Sequence, residues 1–202
     1  MTIVEESPKN TPFATARKAM IDSQLRTSGV NTEWVLKRMS AVAREDFVPE
    51  SAKSVAYMDR AVPLGDGKYL AAPVVQGTML QEANPQMSDK ALLVDGGSGY
   101  LAELLRPLVA SLDVVSAENA VAGTVPSRGY DLVLIDGAVE HLPEALVTQL
   151  ADDARVITGY MLNGVTRIAT GRKAADEVAL LPIAEIGVPV LPEFNKAKAW
   201  SF

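Results

Sequence analysis

The chain has 202 residues, 48% hydrophobic, 22% charged and 5% aromatic, enough apolar material for one compact domain and too little length for a second full one. Lys plus Arg total 19 against 25 for Asp plus Glu, a formal net charge of −6, the wrong sign for a phosphate-tracking surface, so nucleic acid is not the expected partner. With no Cys and one His, disulfides, thiolate zinc sites, cysteine nucleophiles and His-rich metal centres are excluded, and no metal site is expected.

The opening MTIVEESPKNTPF carries three charged residues before any apolar run, unlike the basic start and apolar middle of a signal peptide. The longest apolar stretches, such as Leu108 to Leu112 and Val178 to Ile183, are too short to cross a bilayer. A soluble, cytoplasmic chain without membrane contact is expected. Residues 1–12, polar and holding Pro8 and Pro12, read as a loose tail.

Ala14 to Arg26 reads as a helix with Ala16, Met20 and Gln24 on one stripe, ended by Gly29. Asn31 and Thr32 are capping candidates for a second helix, with Glu33 in its first turn and Val35, Met39 and Val42 at i, i+4 and i+7. Ala43 to Pro73 holds Pro49, Pro63, Gly65, Gly67 and Pro73 with little periodicity, which predicts irregular or short-stranded chain whose length points to function. Val74 to Leu80 begins a helix.

The rhythm then changes. Ala91 to Asp95 is a short apolar run that stops at GGSG, the pattern of a buried parallel strand. Leu101, Leu104, Leu105 and Leu108 follow at helical spacing. Leu112 to Glu118 and Tyr130 to Gly137 are further strands, and Pro143 stands near a helix start that places Leu146, Val147 and Leu150 on one face. Ala154 to Met161, Gly164 to Arg172 and Val178 to Ile186 supply three more strands, with too little room for full helices between the last two. The alternation predicts a mostly parallel, doubly wound α/β sheet of about six strands with an antiparallel hairpin at one edge.

Asp95, Gly96, Gly97, Ser98, Gly99 and Tyr100 form the strongest local signal. Glycines at a strand's end let backbone approach a ligand, and nucleotide-like cofactors bind at such turns; the competing reading is a tight strand-to-helix turn and nothing more. Glu118 ends the next strand, where a carboxylate can accept from two ribose hydroxyls, or it is a solvated acid. Asp136, closing the Leu132 to Ile135 strand, either faces a crevice or only ends a strand. His141 reads as a surface residue. Ser23, Arg26 and Thr27 line a groove or cap a helix end, and Met20, Met39, Met79 and Trp34 read as core. Trp200 and Phe202 pack on the domain or on a second subunit, which would make a homodimer.

The segments MIDSQLRTSGV, VLKRMSAVAREDFVPE, AYMDRAVPLGDG, DGGSGY and DVVSAE stand in the order found in protein-L-isoaspartate O-methyltransferases, and the chain resembles that family from about Ala14 to its C-terminus. It is most similar to a short, divergent bacterial subgroup with a run like IDGAVEHLPEAL and an ending like IGVPVLPEFNKAKAWSF. The resemblance implies a Rossmann-like class I methyltransferase fold, S-adenosylmethionine at the glycine turn, a protein or peptide acceptor, and a helical extension beside the substrate groove. On this reading residues 13–73 are the extension and substrate loop and 74–202 the Rossmann-like core. The implied cofactor-binding residues are Asp95, Gly96, Gly97, Ser98, Gly99 and Glu118; no catalytic residue is assigned.

The chain departs from the family's pattern in three places. Where relatives read E-I-G-T-G-S-G-Y, anchoring on Ser98-Gly99-Tyr100 puts Leu93 at the acid and Asp95 at the first glycine, unless a deletion lets Asp95 recover the acid's role. A carboxylate there would crowd the cofactor and repel its carboxylate end. The 29 residues between Tyr100 and Tyr130 hold one helix, one strand and NAVAGTVPSRG, too little for the family's further helix and third strand, so the adenine-side wall is expected to be missing. In PLGDGKYLAAP, Ala71 stands where the isoaspartate enzymes carry a Ser that orients the acceptor carboxylate. Two functions stay open: methyl transfer from S-adenosylmethionine to a carboxylate, with isoaspartate repair in doubt, or an inactive methyltransferase fold acting as a binding or scaffold protein. A dehydrogenase is disfavoured because the turn lacks G-x-G-x-x-G spacing.

Overall fold

The computed structural model describes residues 12–196. The expected tail, apart from Pro12, and both Trp200 and Phe202 lie outside the described residues.

The chain opens with α1 (Pro12–Met20), which runs on through a π-turn over Ile21–Leu25 and a 3₁₀ turn over Arg26–Ser28 to Gly29 at φ 89°. The wider turn shifts the apolar stripe by one residue, so Leu25 rather than Gln24 is fully buried. Gln24 instead donates to the Tyr57 carbonyl at 2.9 Å. In α2 (Glu33–Ala41), Thr32 occupies the N-cap but makes no side-chain cap bond; its hydroxyl donates to Gln81 Oε1 at 2.8 Å. Two 3₁₀ turns and a two-stranded hairpin, β1 (Val62–Gly65) with β2 (Lys68–Leu70), then fill the stretch expected to be irregular.

The main sheet has six strands in the order β4-β3-β5-β6-β7-β8. They are β3 (Lys90–Val94), β4 (Ser111–Val115), β5 (Tyr130–Val139), β6 (Leu150–Leu162), β7 (Val165–Ala174) and β8 (Glu177–Ala184). β4, β3, β5 and β6 pair in parallel; β6, β7 and β8 form an antiparallel meander. The expected fold class and strand number hold. Among the described residues no strand lies between β4 and β5. A five-residue helix, α5 (Ala117–Val121), and a loop containing Gly123, Pro126 and Gly129 carry the chain directly across.

Strand periodicity divides the core. Ala91, Leu93, Leu132 and Leu134 face one layer, filled by the N-terminal elements, α3 (Pro73–Ala83) and α4 (Tyr100–Leu105). Leu92, Val94, Val133 and Ile135 face the other, covered by α5, α6 (Glu144–Val147) and Phe194. That second layer is thin. The helix expected to carry Leu146, Val147 and Leu150 is a single turn, and Leu150 already belongs to β6.

The C-terminal segment completes this side. Ala138 N donates to Pro189 O at 2.7 Å and Leu191 N to Ala138 O at 2.9 Å, so Val188–Leu191 lies alongside the end of β5. His141, expected at the surface, is half-buried with Nδ1 2.9 Å from the Phe194 carbonyl, and it pins this segment. No helix among the described residues is long and apolar enough to cross a membrane.

Candidate functional site

The parallel strands β3, β4 and β5 end on one side of the sheet, where such strands leave a crevice. A cleft of about 190 Å³ opens there. Its floor is Asp95 and Gly96 after β3, Ser116, Ala117 and Glu118 after β4, and Asp136 in β5; the hairpin residues Asp66–Tyr69 and the segment Pro189–Glu193 form its walls.

Asp95 folds into its own turn. Its Oδ2 accepts from Gly97 N at 3.0 Å and its Oδ1 from Gly99 N at 2.9 Å, while its own amide donates to Val115 O at 2.9 Å. Gly97 at φ 106° and Gly99 at φ 71° adopt backbone that L side chains rarely enter. Ser98 Oγ accepts from Tyr100 N at 3.2 Å. The turn is thus held by its own side chains, and two backbone donors are committed to the Asp95 carboxylate.

Glu118 does not end β4. The strand stops at Val115, Ser116 caps α5 by accepting from Asn119 N, and Glu118 lies in the first turn of that helix, exposed and facing the cleft. A hydrogen bond with Ser116, then its own backbone, and last the charge of Lys68 hold its carboxyl below the usual range.

Asp136 is buried in the cleft floor at a bulge, where the β5–β6 register slips between Ile135 and Ala138. Burial first, and the Asp95 charge second, push its carboxyl up to about 7. Gln76 Nε2 donates to its Oδ2 at 3.1 Å. Gln76 Oε1 in turn accepts from Arg44 Nη1 at 2.7 Å. The Arg44 guanidinium, fully buried, also donates to Ala56 O at 2.7 Å and to Ala71 O, and lies 5.1 Å from the Tyr100 ring centroid. One polar chain therefore joins the loop carrying Ala71 to the carboxyl in the cleft.

A sequence profile described as protein-L-isoaspartate(D-aspartate) O-methyltransferase matches residues 15–122, just over half of the chain. The protein-L-isoaspartate O-methyltransferase of Koribacter versatilis is 31% identical over 175 residues, covering 75% of this chain and 79% of the relative. The chain belongs to the protein-L-isoaspartate O-methyltransferase family. A Methanoculleus marisnigri member is 28% identical over 211 residues, 91% of this chain and 95% of its own. A crystal structure from Plasmodium falciparum, described as a protein-L-isoaspartate O-methyltransferase in complex with S-adenosyl-L-homocysteine, superposes with a TM-score of 0.68 at 15% identity, covering 90% of this chain and 98% of that one. At that identity the likeness speaks for the Rossmann-like fold.

Within this family member the structure brings Asp95, Gly96 and Glu118 to one cleft, with Gly97, Ser98 and Gly99 forming the turn beneath it. Ser23 and Thr27 do not reach the cleft; their hydroxyls donate to carbonyls of their own helix, Ala19 O and Ser23 O. Arg26 sits beside Asp22 at 3.9 Å, one helical turn away. Met20, Met39 and Met79 are fully buried and Trp34 packs at the core's edge. Sequence reasoning missed Lys68, Gln76 and Arg44. Asp66-Gly67 is a hairpin-turn dipeptide that could have placed Lys68 on a β-ribbon, whereas no local pattern marks a buried Arg.

Proposed function

We propose that the cleft is a weak S-adenosylmethionine site and that the chain transfers methyl to a protein or peptide carboxylate other than an isoaspartyl group. The observation that carries this reading is the convergence of Asp95, Gly96 and Glu118 on one cleft at the ends of β3 and β4. When bound, the cofactor supplies the methyl group.

The residues fit its polar ends. Glu118 suits paired ribose hydroxyls, and Asp95 with Asp136 offers carboxyl oxygens to an ammonium. They hold it weakly for two reasons: Gly97 and Gly99 amides already serve Asp95, and among the described residues no additional strand stands between α5 and β5 to supply an adenine wall. We take residues 13–73 as the extension carrying the acceptor loop and 74–202 as the cofactor-binding core.

Isoaspartate repair is disfavoured by Ala71, which is buried, offers no hydroxyl, and has its carbonyl engaged by Arg44. An acceptor left unoriented loses a large part of the rate that positioning supplies. A second reading, a binding or scaffold protein without catalysis, is favoured by the self-satisfied turn at Asp95.

The test is calorimetry with S-adenosylhomocysteine, followed by methyl transfer from labelled S-adenosylmethionine to an isoaspartyl peptide and to a mixture of unmodified proteins. Measurable but weak binding, no isoaspartyl turnover and labelling of other carboxylates support the proposal. Robust isoaspartyl methylation overturns it. Absence of any cofactor binding leaves the scaffold reading.

A further inference from the structure

The hairpin β1–β2 is tied by a two-residue turn, Asp66-Gly67, with φ of 50° and 73°, and its tip reaches over the glycine turn that follows β3. Lys68 stands at the far side of that turn. A Cβ built on Gly97 would lie 2.5 Å from Lys68 Cδ, 3.0 Å from Cγ and 3.1 Å from Cβ, so the aliphatic stem runs directly across the glycine. Lys68 and Glu118 line the same cleft.

Gly97 is thereby shut off from the cleft that Asp95, Gly96 and Glu118 line, and a ligand that lies on the glycine turn over Gly97 must displace this stem. Lys68 is also the single basic residue among the described residues lining the cleft, facing Asp66, Asp95, Glu118, Asp136 and Glu193. The side chain is exposed and makes no direct ion pair among the described residues, so its displacement breaks no ion pair.

We infer that Lys68 is an intramolecular plug that covers Gly97 of the glycine turn beside the cleft and sets the affinity of the cleft for its adenosyl ligand. This rests on the cleft being the cofactor site. The plug and the ligand compete for one volume, so apparent affinity equals intrinsic affinity scaled by the fraction of molecules with Lys68 displaced.

The experiment is calorimetric titration of S-adenosylhomocysteine into the full chain, native, Lys68→Ala and Lys68→Met, with thermal melts to show that all three are folded. Lys68→Ala removes the stem and is expected to tighten binding about tenfold, the change produced when a state populated near one in ten becomes dominant. Lys68→Met keeps the stem and loses the ammonium, and is expected to stay within about threefold of the native affinity on the same population argument. Equal affinity in native and Lys68→Ala overturns the plug and leaves the cofactor site standing. Weaker binding in Lys68→Ala also overturns it, and would make the ammonium a ligand for the cofactor's carboxylate. No binding by any of the three overturns the cofactor reading itself, and the plug with it.

Discussion

Asp95, just past the end of β3, and Asp136, within β5, stand at the same level of two adjacent parallel strands, because Val94 pairs with Ile135 and an aspartate follows each. Parallel neighbours run about 4.8 Å apart, so two carboxyls placed there resist ionising together. Asp95 is satisfied by two turn amides, and Asp136, buried, takes the shift to about 7.

The sign of the resulting pH dependence is fixed. Asp136 holds a proton in the folded state at pH values where the unfolded chain has released it, so its contribution to stability is present below the unfolded value of 3.8 and is lost as the pH rises towards about 7. The loss across that window is on the order of a few kcal/mol. Asp136→Asn keeps an acceptor for Gln76 and removes the titration, so in urea unfolding the variant should gain on native protein as the pH rises from about 4 to about 7 and hold that gain above it. A difference that persists undiminished in the variant would place the dependence on another group.

Arg44 is a buried cation whose partners are two carbonyls, an amide oxygen and an aromatic ring, with no carboxylate in direct contact. Arg44→Met strips donors from Ala56 O, Ala71 O and Gln76 Oε1 together, and should cost about 3 kcal/mol or more. Arg44→Lys should not rescue it, because one ammonium cannot span the three acceptors met by the guanidinium fork. Chemical denaturation of the three proteins decides; a neutral Arg44→Lys would show that charge alone matters at this position.

The Asp95 carboxylate closes the glycine turn with two charge-assisted bonds. Asp95→Gly should lower stability by about 1–3 kcal/mol and speed hydrogen exchange at the Gly97 and Gly99 amides. While Lys68 covers Gly97, freeing those amides should not tighten S-adenosylhomocysteine binding. The gain is expected in the double variant with Lys68→Ala, a non-additivity proper to neighbouring residues. Tight binding by Asp95→Gly alone would make the carboxylate, rather than the lysine, the obstruction.

Two glycines of this turn should respond differently to alanine. At Gly96 a Cβ would stand 2.2 Å from the Asp136 carbonyl oxygen, a backbone atom that cannot swing aside, so Gly96→Ala should cost about 3 kcal/mol by forcing β3 and β5 apart. At Gly99 nothing lies within 4 Å, and Gly99→Ala carries only the left-handed backbone penalty of about 1–2 kcal/mol. Melting temperatures of the two variants rank them, and equal losses would refute the steric account at Gly96.

The unbroken apolar runs Ala91–Val94 and Leu132–Ile135 determined both core layers, because strand periodicity alone sends neighbours to opposite faces. The scarcity of residues between Glu118 and Tyr130, rich in Gly and Pro, likewise excluded a further strand, a matter of chain length rather than of packing, whereas the short helix α5 that begins this stretch was not read from the sequence. The glycine turn was legible for the same reason, since only local backbone freedom was needed to find it. Tertiary structure alone decided that Asp95 turns inward to cap that turn, and that Glu118 belongs to a helix begun by Ser116. It also decided that Leu25 replaces Gln24 in the core, that His141 holds the Phe194 carbonyl, and that Arg44 reaches Asp136 through Gln76. The bonds of Asp95 and Ser116 are short-range choices of side-chain rotamer, and the other three depend on partners far apart in the chain or on one residue's shift in helical register; none of them leaves a repeating trace in the sequence.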